Sequence, residues 1–373
     1  MPDGATKWAE VDLDAIAHNA RTIGALIGPA TALMAVVKAN GYGHGAIPCA
    51  RAALRGGAAW LGVSSADEGL ELRRAGIQAP TLILGYTPEA SLAAAAEAGL
   101  SITLYEGTTL EALRRLRPVR PVPVHVKVDT GMHRLGAAPS DAIALVDAVR
   151  STSHLRLEGL FTHFADADGD DPAFTRSQLE ALLEVRRRAL EAGASGFLSH
   201  AANSAGLLRF PESHLDLARA GIILYGIPPA TPWPAFPDLR RALRWATIVT
   251  SVRTVPDGET VGYGRRFTAR GPRRVATLAA GYADGLFRVL SNRGSVVVRG
   301  RRVPIAGTVS MDQAGIDVSD VPGVTVGDVA WLIGSDGADR VSAEEVAAAA
   351  GTIAYEVLCA ISSRVPRRYR GEA

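Results

Sequence analysis

Lysine is nearly missing from this chain. Of 40 Lys plus Arg in 373 residues, only Lys7, Lys38 and Lys127 are lysine. Surface charge is supplied by arginine, so the remaining lysines mark places where a guanidinium cannot substitute. Only an amine forms a Schiff base or carries a removable proton. For Lys7, close to the N-terminus, coding bias is explanation enough. Cysteine is scarce too: Cys49 and Cys359 are far apart, which excludes a disulfide framework and a thiolate metal spacing. Both read as small core residues. Net charge is only +2, and the arginine pairs lack aromatic interleaving, which argues against nucleic-acid binding. No apolar run is long enough to span a membrane. The opening, MPDGATKWAEVDLD, is too polar for the apolar region of a signal peptide. Hydrophobic residues make up 47%, enough for a large core. These features predict a soluble cytoplasmic enzyme of two domains, or of one barrel with an addition.

What is present centres on residues 33–45, LMAVVKANGYGHG. An apolar run reads as a strand buried on both faces, ends on Lys38, and is stopped by a glycine-rich turn. That places an amine at the C-terminal lip of a buried strand, where α/β folds bind ligands. Helix and strand patterns then alternate through about eight units over some two hundred residues, which predicts an α/β fold with an N-terminal (β/α)8 TIM-type barrel. A doubly wound open sheet is the alternative. A proline cluster (Pro228, Pro229, Pro232, Pro234, Pro237) marks a boundary. After it, short β-branched runs separated by turn signals predict a C-terminal mainly-β domain. One helix, opened by a Ser342 and Glu345 capping box, interrupts it. The expected division is 10–235 for the barrel and 236–373 for the β domain, with residues 1–9 pairing with the latter.

In a barrel, polar residues just after each strand share one rim. Here these are Lys38 and Tyr42; Lys127, Asp129, Thr130, His133 and Arg134; His163; His200, Asn203 and Ser204; then Arg219, Gly221, Ile222 and Tyr225. Gly221 and Ile222 offer backbone N–H groups in a tight turn, and Asn203 with Ser204 opens a short helix suited to a phosphate. An anion site facing a strand-end lysine fits a phosphorylated aldehyde, with pyridoxal 5′-phosphate the obvious candidate. The His and Asp residues lack metal-ligand spacing, so no metal is expected.

Eight segments in order, AVVKANGYGHG, KVDTGMHRLG, THFADAD, HAANSAG, RAGIILYG, VGYGRRF, AGYADG and GTVSMDQ, resemble the motifs of bacterial alanine racemase over nearly the whole chain. The resemblance implies a barrel plus a β domain, a head-to-tail homodimer and pyridoxal 5′-phosphate at the barrel mouth. It implies Lys38 as the cofactor lysine and base on one substrate face, with Tyr263 from the other subunit as the opposite base. Tyr42, Ser204, Gly221, Ile222 and Tyr355 match phosphate ligands. Arg219 matches the residue facing the pyridine nitrogen, and His163 would link it to Tyr263. Arg134 and Met311 match carboxylate contacts, and Lys127 a carbamylated lysine that holds Arg134. Tyr282, Asp168, Asp312 and Arg288 match a narrow entrance, which implies alanine as substrate and a role in supplying D-alanine for peptidoglycan. Two other readings share this plan: a decarboxylase of the same architecture, and a cofactor-carrier protein built on the barrel alone. The first needs acidic or cysteine partners that GTVSMDQ and VGYGRRF do not supply. The second has no use for a complete β domain.

Overall fold

A computed structural model describes residues 4–372. Strand β1 (Lys7–Asp12) opens the described chain. Eight parallel strands follow: β2 (Ala32–Val36), β3 (Trp60–Val63), β4 (Thr81–Ile83), β5 (Ser101–Leu104), β6 (Val122–Lys127), β7 (Leu155–Phe161), β8 (Leu198–His200) and β9 (Leu217–Ala220). They neighbour one another in chain order from β2 to β8, and β9 returns beside β2. The ring closes by two backbone bonds: Asp216 N–H donates to Ser199 O at 3.1 Å, and Arg219 N–H to Ala202 O at 3.2 Å. This is the expected (β/α)8 barrel. Its strands are apolar runs because both faces are covered; all six residues of β6 are buried. The helices between them bury one stripe each. In Ala66–Arg74, Ala66, Gly69 and Leu72 are buried and the Ser65 hydroxyl caps the first turn. The long helix Pro172–Glu191 starts with Asp171 as cap and proline in its first turn.

The remaining strands form a mainly-β unit. They are β10 (Leu243–Val255), β11 (Thr260–Val261), β12 (Phe267–Thr268), β13 (Arg273–Leu278), β14 (Ser295–Val298), β15 (Arg301–Pro304), β16 (Ala314–Asp317), β17 (Val329–Asp336), β18 (Asp339–Val341) and β19 (Arg367–Arg370). The sheet runs β15-β14-β17-β10-β1-β19, with β13 and β16 extending from β10 and β18 beside β17. Several elements here escape the sequence pattern, the short strands β11, β12 and β18 among them. Helix Ala354–Ala360 is too short to show a period, and the β19 sequence, RRYR, has no apolar alternation. β19 is a strand because it pairs in parallel with β1.

By internal contacts the described chain forms two compact units, one of residues 14–41 and 46–240, the other of 4–13, 42–45 and 241–372. The differences from the sequence boundaries have local causes. β1 is a sheet strand, antiparallel to β10. Arg240 is tied to the barrel's first helix, its N–H donating to Asn19 Oδ1 at 2.7 Å. Gly43 O accepts from Arg367 Nε at 2.9 Å, and Gly43, at φ 82°, packs so that a Cβ would lie 2.2 Å from Leu358 O. Residues 1–3 and 373 of the expected division lie outside the described residues. No helix among the described residues is long and apolar enough to cross a membrane.

Candidate active site

Lys38 follows β2 directly, at the C-terminal end of the barrel strands. The glycine-rich stretch behind it is more than a turn. Ala39, Asn40, Gly41 and Tyr42 all lie at φ between 52° and 61°, a run of left-handed backbone. For residues with a Cβ this conformation costs roughly 1–2 kcal/mol each, so the surroundings must impose it. Asn40 Oδ1 accepts from Ala46 N–H at 3.0 Å. The Glu68 carboxylate accepts from Ala39 N–H at 2.7 Å and from Ser64 N–H at 2.6 Å, joining the loops after β2 and β3. Sequence reasoning missed Glu68. The available signal was the Ser65-to-Glu68 capping spacing in SSADEG.

Lys127 ends β6 and is 5% exposed. Its amine lies 5.6 Å from the Phe161 ring centre, and no described carboxylate is within ion-pairing distance. Burial first, then the Arg219 and Arg134 guanidiniums, pull its pKa down to about 8. Asp129, the obvious partner, is engaged by its own loop, accepting from Gly131 N–H at 3.0 Å and His133 N–H at 3.1 Å. Arg134 sits exposed on that loop. Arg219, on β9, is 3% exposed. It donates to Thr162 O, Ala201 O, His200 Nδ1 and His163 Nδ1 at 2.9, 2.8, 2.7 and 3.2 Å. Burial lowers its pKa to about 9. His163 is kept neutral: burial and the charges of Arg219, Lys127, Arg134 and Lys38 push its pKa well below the usual imidazole value.

The loops after β8 and β9 meet at Ser204, whose hydroxyl accepts from Gly221 N–H at 2.9 Å. Asn203 Oδ1 caps the short helix Ser204–Arg209 through Gly206 N–H at 2.9 Å. Ile222 begins a buried 3₁₀ turn. Tyr225, at its end, donates to Val36 O at 3.1 Å and is fully buried, which makes it a strut.

The other expected residues lie in the β unit. The rings of Tyr42 and Tyr355 are 6.1 Å apart. Burial holds the Tyr42 phenol well above its usual pKa, so it stays protonated. Tyr263, Tyr282, Arg288, Met311 and Asp312 gather around one open groove of about 660 Å³. Tyr263 is 74% exposed, between Gly262 and Gly264, both at positive φ. Thr308 Oγ1 donates to its carbonyl at 2.7 Å. Tyr282 rides on a tight turn bonded to the next loop by Tyr282 N–H to Ser310 O at 2.9 Å. A Cβ on Gly281 would lie 2.3 Å from that oxygen, so this approach needs glycine. Arg364 pairs with Asp312 at 2.7 Å. Asp168 is exposed on the barrel loop after β7.

The barrel mouth thus carries an amine, three further cations, a buried hydroxyl and a carboxylate already bonded within its loop. Such a donor set demands an anion. Among the described residues, no three His, Cys, Asp or Glu side chains are arranged to hold a metal ion.

Two family models match the chain: "Alanine racemase, N-terminal domain" over residues 11–229 and "Alanine racemase, C-terminal domain" over 242–369. The alanine racemase of Symbiobacterium thermophilum is 46% identical over 369 residues, covering 98% of this chain and 97% of that protein. That of Desulfovibrio desulfuricans is 43% identical over 364 residues, 97% of each. Among solved structures, the alanine racemase of D-cycloserine-producing Streptomyces lavendulae superposes with a TM-score of 0.93 at 38% identity, covering 99% of this chain and 98% of that one. The Bacillus anthracis enzyme with bound L-Ala-P gives 0.93 at 37% identity, covering 100% and 96%. The class is therefore an isomerase built as a (β/α)8 barrel with a C-terminal β domain. The chain belongs to the alanine racemase family.

Proposed function

We propose that the chain is a pyridoxal 5′-phosphate-dependent racemase that interconverts L- and D-alanine with two bases, Lys38 and Tyr263, on opposite faces of the substrate Cα. The observation that carries this reading is the charge at the barrel mouth. Lys38, Lys127, Arg134 and Arg219 influence one another there, while Asp129 is occupied by its own loop. A phosphorylated aldehyde suits that donor set, being polyanionic and open to covalent capture by an amine. Bound there, the cofactor supplies an electron sink that makes the α-proton of alanine removable.

Lys38 would hold the cofactor's aldehyde and, as an amine, would exchange a proton at the substrate Cα from one face. Tyr263, from a second copy in a head-to-tail homodimer, exchanges a proton from the other. Inversion requires both, since one group cannot reach both faces. Ser204, Tyr42, Gly221, Ile222 and Tyr355 would hold the phosphate, with Asn203 fixing the helix behind Ser204. The Ser204 hydroxyl accepts from Gly221, which leaves its own proton for an anion. Arg219, being a donor only, would meet the cofactor's ring nitrogen without protonating it, which would limit side reactions. His163 accepts from Arg219 and links it to Tyr263. Arg134 and the Met311 N–H bind the carboxylate, and Tyr282 with Asp312 narrows the entrance. Lys127, neutral above about pH 8, adds carbon dioxide at Nζ with loss of a proton, and the resulting carbamate anion holds Arg134. The functional division is 10–235 and 236–373, which departs from the compact units at 10–13, 42–45 and 236–240, in a cytoplasmic enzyme that supplies D-alanine for peptidoglycan.

The test is a purified, cofactor-loaded protein assayed in both directions with alanine, then reduced with borohydride and peptide-mapped. The cofactor should be trapped on Lys38. Tyr263→Phe should abolish racemisation while α-hydrogen exchange into deuterated water persists for one enantiomer alone. Normal racemisation by that variant would refute the two-base assignment.

A further inference from the structure

Beyond the residues placed above, a string of polar side chains runs through the barrel from its mouth toward the N-terminal ends of the strands. Arg219 is a buried cation with no direct carboxylate partner among the described residues; its four acceptors are two carbonyls and two imidazoles. A buried charge in that position needs compensation from elsewhere. His200 Nε2 lies 2.9 Å from His125 Nδ1, and His125 Nε2 lies 3.2 Å from Glu158 Oε2. Glu158 is anchored in turn by the Ser101 hydroxyl and by Arg156, whose guanidinium donates to Oε1 at 2.7 Å.

Three features of the fold build this string. Gly159 on β7 lies between β6 and β8, and a Cβ there would sit 2.1 Å from His125 Nδ1. The missing side chain lets His125 and His200 meet across an intervening strand. The β6–β7 register slips between Val124 and His125, which leaves Glu158 as the extra residue of a bulge. Bulges re-aim side chains, and this one delivers Glu158 to His125. Finally, Phe161 stacks on His200, with ring centres 4.5 Å apart and planes 5° apart, and Trp60 meets His125 edge-on at 5.5 Å. Both imidazoles are therefore held in place.

The bonds can run in one direction only. Arginine is a donor only, so Nδ1 of His200 must accept and its proton sits on Nε2. His125 Nδ1 then accepts, and the His125 proton sits on Nε2, facing the carboxylate. Burial favours neutral rings at both positions. Burial alone would raise the pKa of Glu158, but bonds from His125, Ser101 and Arg156 outweigh it and hold it at about 2. The string thus carries a cation at the barrel mouth, two neutral rings and an anion at the far end.

We propose that Glu158 is a positioning residue for Arg219: as an acceptor-only group it fixes the tautomers of His125 and His200, and so the orientation of the buried guanidinium at the barrel mouth. This rests on the reading of Arg219 as a cofactor-facing residue. Reversing the string would put a His200 N–H against an Arg219 N–H, two donors in contact. A carboxylate can only accept from His125 Nε2–H, whereas an amide can turn its NH₂ to that nitrogen and favour Nδ1–H on His125, which breaks the bond from His200 and loosens the guanidinium.

The test is Glu158→Gln in the cofactor-loaded enzyme, read by imidazole nitrogen spectra of ¹⁵N-histidine-labelled protein and by alanine kinetics. Wild type should show both buried rings protonated on Nε2. Glu158→Gln should show Nδ1–H forms, with kcat down about tenfold, as for outer-shell partners of a site, and KM for alanine within about twofold. Arg156→Ala, which removes only the exposed partner of Glu158, should leave the spectrum and kcat as in wild type. The proposal is overturned if Glu158→Gln keeps both tautomers and its kcat. Should that variant fail to fold, Glu158→Asp, which shortens the carboxylate's reach to His125, decides: Nδ1–H on His125 with a lowered kcat supports the proposal, and wild-type tautomers with wild-type kcat overturn it. Absence of alanine turnover in wild type would sink the racemase reading separately, since the tautomer measurement needs no substrate.

Discussion

Replacing Lys7 with methionine probes how the β unit holds its groove. Asp284 is fully buried, and Lys7 Nζ meets its Oδ2 at 2.7 Å. Its other partners are weaker: Gly281 N–H at 3.0 Å and Arg364 Nε at 3.5 Å, the latter from a side chain 47% exposed. Removing one partner of a buried pair costs about 3–5 kcal/mol because the other charge is left behind. Gly281 remains, and Arg364 can move closer, so the expected loss is about 2–4 kcal/mol. Methionine keeps the length and apolar volume of the lysine stem, so a cavity does not contribute. Urea unfolding followed by circular dichroism reads the loss as a lower midpoint at unchanged slope. The double variant Lys7→Met with Asp284→Asn should recover at least about 1 kcal/mol of it, since no charge is then stranded. The turn that Asp284 holds carries Tyr282, so the single variant should also show altered alanine KM. If Lys7→Met unfolds within about 0.5 kcal/mol of wild type, the pair does not support the turn and the reasoning fails.

Two further predictions concern the barrel mouth. In cofactor-free, carbon-dioxide-free protein, the Lys127 amine has a folded pKa of about 8 against 10.5 for an exposed lysine. Between those values the unfolded chain binds a proton that the folded chain does not, so stability should rise with pH from about 8 toward 10.5, by on the order of 3 kcal/mol. Urea midpoints across that range should show the rise in wild type and not in Lys127→Met; equal slopes would refute it. Glu68→Ala removes the carboxylate bonded to Ala39 N–H and Ser64 N–H. It should cost about 1.5–3 kcal/mol and weaken cofactor affinity, measured by fluorescence titration, because the left-handed run after Lys38 loses a restraint.

Much of the candidate site was legible because its signals are local. A buried strand ending in lysine needs only its own residues to be recognised. The capping box of Ser342 and Glu345 is present as read, with Ser342 N–H donating to Glu345 Oε2 at 2.7 Å. The alternation of helix and strand up to β9 follows from period and turn residues, and from it the shared rim of Lys38, Lys127, His163, Ser204 and Arg219. What stayed hidden depends on partners remote in sequence or on backbone irregularity. Lys7, dismissed on composition, finds its carboxylate 277 residues away. His125 reads as one more residue of a strand until a glycine on β7 opens a path to His200. Glu158 reads as a polar residue on an amphipathic strand until a bulge turns it to His125.

The sequence by itself determined the barrel, the β-rich C-terminal part and the side chains gathered at the strand ends, because periodicity, turn chemistry and residue type are properties of short stretches. Tertiary structure decided which groups compensate one another. It set the left-handed path behind Lys38, the association of residues 42–45 with the β unit, the pairing of Lys7 with Asp284 and the direction of the string from Arg219 to Glu158. The physical reason is that desolvation and hydrogen-bond direction depend on what surrounds a group in space, and a linear pattern of residue types does not carry that information.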